Sequence, residues 1–214
     1  MENWNLIQTI AIYALPVLFA ITIHEAAHGY AARHFGDRTA EMMGRLSLNP
    51  IRHIDLVGTI IIPALALALG GFLFGWAKPV PVDFRNLRQP KQDMLWVAAA
   101  GPASNLAMAI AWGLIFKFAV HMDQANAFFD PLVYMAQAGV QINVVIMVLN
   151  LLPIPPLDGG RILVSLLPNR AAWQVARIEP YGLIILMLLI VTHLLSAIML
   201  PFIQLTFRFL DLIL

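Results

Sequence analysis

The sequence contains no cysteine, and only 12% of its 214 residues are charged. The absence of cysteine excludes disulfide bonds, thiolate metal ligands and thiol nucleophiles. Soluble domains carry about 25% charged residues, so this composition, with 60% hydrophobic residues, indicates an integral membrane protein with several spans. A net charge of +1 offers no basic field for nucleic acid, which we exclude as a partner. Because there is no cysteine, any transition metal must be bound by His and carboxylate side chains.

The N-terminal segment lacks the basic region of a secretory signal peptide, since its only early charge is Glu2. The apolar stretch from Leu6 to Phe35 is longer than a signal sequence requires, and we interpret it as a retained membrane helix that Pro16 kinks. Basic residues lie at its end and after it, and the positive-inside rule then predicts that the N-terminus lies outside and that this helix ends in the cytoplasm. These basic residues are Arg33, Arg38, Arg45 and Arg52.

Within this helix lies the motif His24-Glu25-Ala26-Ala27-His28. Helical residues four apart share one face, so His24 and His28 can bind one ion, and Glu25 stands where a base for water activation is needed. The motif arises by chance in about one chain in 300 of this composition. Ionisable groups in a membrane cost several kcal/mol unless paired or liganded, which favours a metal site. Glu25 precedes Arg33 by eight residues, a depth of about 12 Å below the charged surface.

Three further apolar segments predict membrane spans: Met94–Phe118, Val133–Leu152 and Tyr181–Leu200. We expect Pro201 to end the last one, because proline breaks helices. The remaining stretch from Phe202 to Leu214 is too short to cross again, and we place it at the membrane interface.

A parity argument constrains the stretch between the first two spans. If His24 and Asp158 meet near the cytoplasmic ends of their helices, the two helices run in the same direction, and an odd number of crossings must separate them. Met94–Phe118 supplies one crossing, so Val57–Val82 must begin and end on the cytoplasmic side. We predict a re-entrant unit in which Val57–Phe74 dips into the membrane and Gly75–Val82 returns as extended backbone near the active site. Extended backbone of this kind could pair with an unwound substrate by strand addition, although a plain turn is the alternative.

A second motif supplies the third ligand candidate, Asp158. Three prolines interrupt the helix before it, and the glycines after it give the backbone room to aim the carboxylate into the bundle. The alternatives for Asp158 are a helix cap and a salt bridge with Arg161. Asn150 and Asn105 could each donate a hydrogen bond to a developing oxyanion, or instead hydrogen-bond between helices.

Taken together, these motifs resemble the site-2 protease family of intramembrane zinc metalloproteases. The matching pieces are His24 to Gly29, Gly101 to Asn105 and Asn150 to Arg161, in the family's order, and the resemblance covers Leu6 to about Leu166. It implies one Zn²⁺ per chain bound by His24, His28 and Asp158, with Glu25 as the catalytic base. It also implies a membrane-embedded hairpin at Gly75–Val82 and transmembrane proteins as substrates.

The sequence therefore predicts an all-α polytopic membrane protein with about four to six transmembrane helices and a re-entrant segment carrying a short β-like hairpin. We expect one metalloprotease domain over residues 1–214, with a core at about 6–166, extra C-terminal helices at 167–214 and no room for the PDZ or CBS domains of some family members. The tentative substrate-binding residues are Asn150, Asn105, Gly75, Pro79, Val80, Pro81 and Val82.

The predicted function is intramembrane zinc endopeptidase in a bacterial or archaeal cell membrane, with the active site toward the cytoplasm. Its partners would be the lipid bilayer and a transmembrane protein substrate, and a homo-oligomer is compatible with the sequence. One alternative is a catalytically inactive, metal-binding scaffold of the same family. A zinc transporter ranks last, because the outer halves of the helices are nearly uncharged.

Overall fold

A computed structural model describes residues 6–53, 55, 58, 61, 78–123 and 129–214. Within these ranges the regular structure is helical and no residue forms a β-strand. The α-helices are α1 (Leu6–Phe35), α2 (Thr39–Met42), α3 (Pro90–Asp123), α4 (Asp130–Asn150), α5 (Asp158–Leu166), α6 (Asn169–Ala176), α7 (Gly182–Val191) and α8 (Leu194–Ile213). Short 3-10 turns lie at Pro50–Arg52, Phe84–Asn86 and Glu179–Tyr181.

Five helical stretches of the described residues are long and apolar enough to cross a membrane. They are Gln8–Phe35, Pro90–Met122, Asp130–Asn150, Asn169–Val191 and Leu194–Ile213. The prediction of a polytopic all-α membrane protein is thus confirmed, and α1 has the predicted bounds. The re-entrant segment predicted at Val57–Phe74 lies mostly outside the described residues, as do Gly75 and its two successors.

Helices α1, α3 and α4 form the centre of the bundle, with α3 packed against both of the others. Small side chains at their contacts allow the backbones to approach closely, as in other membrane bundles. Gly139 on α4 faces the ring of Trp112 on α3, and a Cβ atom at position 139 would lie 2.4 Å from that ring. Glycine at this position is therefore required for the observed distance between α3 and α4.

The C-terminal region differs from the prediction. Helix α8 continues through Pro201, and the chain instead breaks at His193, whose φ of 57° is left-handed. A proline removes one backbone donor and bends a helix, whereas a left-handed residue ends it outright. The last residues continue this helix, and Leu210 and Leu214 pack in one apolar cluster with Ala109 of α3, while their placement at the membrane interface stays a prediction.

A buried carboxylate fastens the end of α1 to the segment that precedes α3. Asp37 is 1% exposed and accepts hydrogen bonds from the backbone N–H groups of Thr39 at 3.0 Å and Asp83 at 2.9 Å. The Thr39 hydroxyl and Asn86 Nδ2 donate to the same carboxylate. Since residues 78–82 lead directly into Asp83, this carboxylate positions them beside α1.

The protonation of Asp37 should therefore matter for stability. Burial raises the pKa of Asp37, but the hydrogen bonds from Thr39, Asn86 and Asp83 together outweigh it and leave the pKa below the ordinary value of 3.8. A lowered folded-state pKa means that the stabilisation is complete above the unfolded-state pKa and is lost as the pH falls through the folded-state value.

We predict that Asp37→Asn destabilises the protein by about 1–3 kcal/mol at pH 7, because an amide cannot accept all of these hydrogen bonds. The difference from wild type should shrink below about pH 4, where the wild-type carboxyl also becomes protonated. Thermal unfolding in detergent at pH 7 and pH 3 measures both effects. Asp211→Asn, at an exposed position of α8, is the control. A difference that stays constant between the two pH values would contradict this role for Asp37.

Candidate metal centre

The predicted metal ligands of the two motifs meet at one point. His24 and His28, one turn apart on α1, place their Nε2 atoms 3.1 Å from each other. Asp158, the first residue of α5, places its Oδ2 atom 3.3 Å from each of these nitrogens. His24 and Asp158 are 6% and 9% exposed. The three atoms form a small, nearly equilateral triangle that could hold a metal ion.

Hydrogen bonds at the far side of each ring define the tautomers of the two histidines. His28 Nδ1 lies 2.7 Å from the backbone carbonyl oxygen of Val97, which can only accept, so the proton is on Nδ1. His24 Nδ1 lies 2.6 Å from the side-chain oxygen of Asn105 and is likewise the donor. In neutral rings both Nε2 atoms therefore keep a free lone pair facing Asp158.

The donor set fits a zinc ion. Zinc–ligand bonds of about 2.0–2.1 Å in a tetrahedron separate neighbouring ligand atoms by about 3.3 Å, which matches the observed triangle. Asp158 Oδ2 is buried and has no hydrogen-bond donor among the described residues. Three acceptors with no proton among them repel one another unless a cation lies between them. Three protein ligands also leave the fourth position that a catalytic site requires.

The alternatives for Asp158 do not match its surroundings. It makes no cap: the residue at the N-cap position is Leu157, and no side chain caps this helix. Arg161 does not pair with Asp158 either: its Nη2 atom lies 3.8 Å from Glu179 Oε1, and its guanidinium carbon lies 5.0 Å from the centre of the Phe84 ring. Among the described residues, the charged or polar partners of the Asp158 carboxylate are thus the two histidines.

Glycines bring the supporting backbone close to this centre. A Cβ atom at Gly101 of α3 would lie 2.4 Å from His28 Nε2 and 2.6 Å from His24 Cε1. On the other side, Cβ atoms at Gly159 and Gly160 would each lie 2.3 Å from backbone atoms of the loop after α4. Because of this tight loop, α5 begins at Asp158 and the carboxylate of Asp158 faces α1.

The Glu25 carboxylate lies beside the candidate metal centre and accepts one hydrogen bond from the described residues. Its Oε2 atom accepts from the backbone N–H of Val80 at 2.7 Å. A cavity of about 300 Å³ joins this carboxylate to the metal centre. The other predicted residues on its wall are His24, His28, Asp158, Asn150, Pro79, Val80 and Val82.

Residues 78–82 pass beside the cavity without regular secondary structure. Two hydrogen bonds connect Lys78 to residues that follow α2. Lys78 N donates to His53 O at 2.9 Å, and Arg45 Nη2 donates to Lys78 O at 3.3 Å. Pro81 lies between two cavity-lining residues, Val80 and Val82. The opposite arm of the predicted hairpin, with Gly75, falls outside the described residues, so the hairpin stays a prediction.

The two asparagines differ in position. Asn150 lines the cavity, and its amide donates to Ile146 O at 3.0 Å in its own helix. Asn105 is 0% exposed and lies behind His24 rather than on the cavity wall. The tentative substrate contact of Asn105 therefore does not fit its position, whereas the alternative, a hydrogen bond between helices, does. Sequence reasoning also missed its partner Asn143, whose only signal was a polar residue inside an apolar span.

The fold and the site define a helical membrane protein in which two histidines and an aspartate form a candidate metal centre. Comparison with known proteins narrows the class. The profile of Peptidase family M50 matches residues 118–193. The chain is 40% identical over 189 residues to "Putative zinc metalloprotease YwhC" of Bacillus subtilis (strain 168), covering 87% of this chain and 83% of that protein. The chain therefore belongs to Peptidase family M50, the site-2 protease family.

Two mycobacterial proteins that carry the name "Putative zinc metalloprotease Rip2" are also similar. The one from Mycolicibacterium smegmatis is 32% identical over 180 residues, covering 82% of this chain and 64% of that protein. The one from Mycobacterium tuberculosis (strain H37Rv) is 31% identical over 177 residues, covering 80% and 63%. The chain thus spans somewhat less than two thirds of the Rip2 proteins. No solved structure matches it significantly.

We predict that Gly101→Ala weakens zinc binding about tenfold or more, because the added Cβ would displace both histidine rings. Competition with a chelator on the purified protein measures the affinity. Gly113→Ala, in the same helix, is the control, since its Cβ would meet the flexible end of Leu214 instead. Unchanged affinity in Gly101→Ala would show that the rings do not depend on this close approach.

Proposed function

We propose that the protein is an intramembrane zinc endopeptidase that hydrolyses peptide bonds within or next to transmembrane segments of other proteins. The observation that carries this proposal is the triangle of His24 Nε2, His28 Nε2 and Asp158 Oδ2 with the Glu25 carboxylate beside it. Membership of a peptidase family, with relatives named as zinc metalloproteases, supports the same reaction class.

In this proposal His24, His28 and Asp158 bind one Zn²⁺ ion, which supplies Lewis acidity for activating water and polarising a carbonyl. Glu25 takes a proton from the attacking water as the water oxygen forms a bond to the scissile carbonyl carbon. Glu25 then returns the proton to the amide nitrogen as the carbon–nitrogen bond breaks. The products are a carboxylic acid and an amine, so the proton balance closes on one carboxylate.

The Val80 N–H gives Glu25 a fixed orientation for this role. Among the described residues, this backbone N–H is the donor to the Glu25 carboxylate, and in the proposal the other oxygen, Oε1, accepts from water in the cavity. Asn150, on the same wall, is placed to turn its amide toward a developing oxyanion, although this requires it to leave the Ile146 carbonyl.

The substrate must reach the site as extended chain, because a transmembrane helix hides its peptide bonds in its own hydrogen bonds. A cavity of about 300 Å³ admits a short unwound stretch rather than a helix, whose diameter with side chains is about 10 Å. We propose that residues Pro79–Val82 guide this stretch by backbone pairing along the cavity wall.

The proposed orientation follows from the basic residues in the last turn of α1 and after it. Arg33, Arg38 and Arg45 place the end of α1 in the cytoplasm, so the N-terminus lies outside. The metal centre, one to three turns before that end, would lie in the cytoplasmic half of the bilayer and draw its water from that side.

The test is Glu25→Gln in purified protein, with a panel of fluorogenic transmembrane peptides in detergent as the probe. We predict that the cleavage rate falls about 10²- to 10⁴-fold while the zinc content stays at that of wild type, because the amide cannot accept the proton. Glu41→Gln is the matched control, since Glu41 pairs with Arg33 and Arg38 away from the cavity.

The outcomes separate the alternatives. Cleavage by wild type and loss in Glu25→Gln support the proposed mechanism. Cleavage at the wild-type rate by Glu25→Gln excludes Glu25 as the base. Full zinc in wild type with no cleavage of any peptide favours the catalytically inactive scaffold instead.

A further inference from the structure

Two amide side chains are buried completely in the centre of the bundle. Asn105 of α3 and Asn143 of α4 are both 0% exposed. Burying an amide is unfavourable when its hydrogen bonds to water are not replaced, so each side chain needs specific partners. Both lie outside the cavity wall, so neither contacts a substrate there.

Their hydrogen bonds form a chain with a fixed direction. Asn143 Nδ2 lies 2.8 Å from the carbonyl oxygen of Gly139, which can only accept, so the nitrogen of Asn143 faces its own helix. Its oxygen is then free to accept from Asn105 Nδ2 at 3.0 Å. Asn105 Nδ2 also donates to Ala20 O at 3.3 Å, and both of its N–H bonds are used.

Only the oxygen of Asn105 is left for His24 Nδ1, at 2.6 Å. An oxygen there requires the proton on Nδ1, which leaves the lone pair on Nε2, the atom that faces Asp158. If the Asn105 amide were reversed, its nitrogen would face Nδ1 and the ring proton would move to Nε2. Metal binding through Nε2 would then be blocked.

We propose that Asn143 and Asn105 are positioning residues that fix the metal-binding tautomer of His24 through this chain of amides. This inference rests on the proposed zinc site. Asn143 is the decisive member, because without its oxygen the orientation of Asn105 depends on the longer bond to Ala20 alone. The tight contact between Gly139 and Trp112 brings α3 and α4 close enough for the two amides to meet.

His28 provides an internal comparison. Its Nδ1 donates to the backbone carbonyl of Val97, and a backbone group in a helix cannot reverse. The tautomer of His28 is therefore independent of the amide chain. Changes at Asn143 should alter His24 and leave His28 unchanged.

Two substitutions at position 143 separate positioning from packing. Asn143→Asp is isosteric and presents an oxygen to Asn105 whether or not the carboxyl is protonated. Asn143→Leu has a similar size and presents no acceptor. A buried Asp is also the less favourable residue for the fold in an apolar bundle, so stability and zinc affinity should rank the two variants in opposite orders.

The experiment measures zinc affinity by chelator competition, thermal unfolding of the zinc-free protein, and the histidine tautomers by ¹⁵N NMR of the zinc-free protein in micelles. We expect Asn143→Leu to lose about 10- to 100-fold in zinc affinity, and Asn143→Asp to stay within about threefold of wild type. In the NMR spectrum of Asn143→Leu, a neutral His24 should carry its proton on Nε2, as His53 does in every variant because its Nε2 donates to Ser47 O at 2.7 Å.

Wild-type affinity in Asn143→Leu, or equal losses in both variants, would overturn the inference. So would a neutral His24 whose single proton is on Nε2 in the wild-type spectrum, which is recorded without zinc. Failure of the proposed function looks different: wild type would bind no zinc, or Glu25→Gln would cleave at the wild-type rate, whatever residue occupies position 143.

Discussion

The structure depends on one electrostatic constraint, the repulsion between three hydrogen-bond acceptors that lie close together inside a membrane helix bundle. Two imidazole nitrogens and a carboxylate oxygen lie within 3.3 Å of one another, and the apolar surroundings weaken any screening between them. Such a cluster persists only if a cation neutralises it and if rigid surroundings hold each group in place. The central helices supply that rigidity through small residues and backbone acceptors rather than through charged partners.

A second set of contacts brings residues 78–82 close to the Glu25 carboxylate. The buried Asp37 accepts hydrogen bonds from backbone and side-chain donors at the C-terminal end of α1, and Arg45 donates a hydrogen bond to the backbone at Lys78. Between these two fixed points the Val80 N–H reaches Glu25. Among the described residues, one hydrogen bond thus joins Glu25 to the backbone of the cavity wall, and the proposed function couples substrate binding on this wall to chemistry at Glu25 through that bond.

Local sequence patterns predicted that His24, His28 and Asp158 would meet, because a four-residue spacing on a helix and a proline-rich break before Asp158 are features of a few neighbouring residues. The bounds of α1 were predictable for the same reason. The end of the last helix was not, since Pro201 is a strong local signal and the left-handed His193 has no sequence signature. The partners of Asn105 were also beyond reach, because a hydrogen bond to His24 across 81 positions depends on how three helices pack.

X-ray absorption spectroscopy of the purified, zinc-loaded protein would show whether His24, His28 and Asp158 together bind zinc. We expect four or five nitrogen and oxygen ligands at about 2.0–2.1 Å, with the multiple-scattering signal of two imidazole rings. Loss of one oxygen neighbour in Asp158→Ala, with both rings retained, would complete the assignment. A wild-type spectrum with fewer than two imidazoles, or with six oxygen ligands, would contradict it.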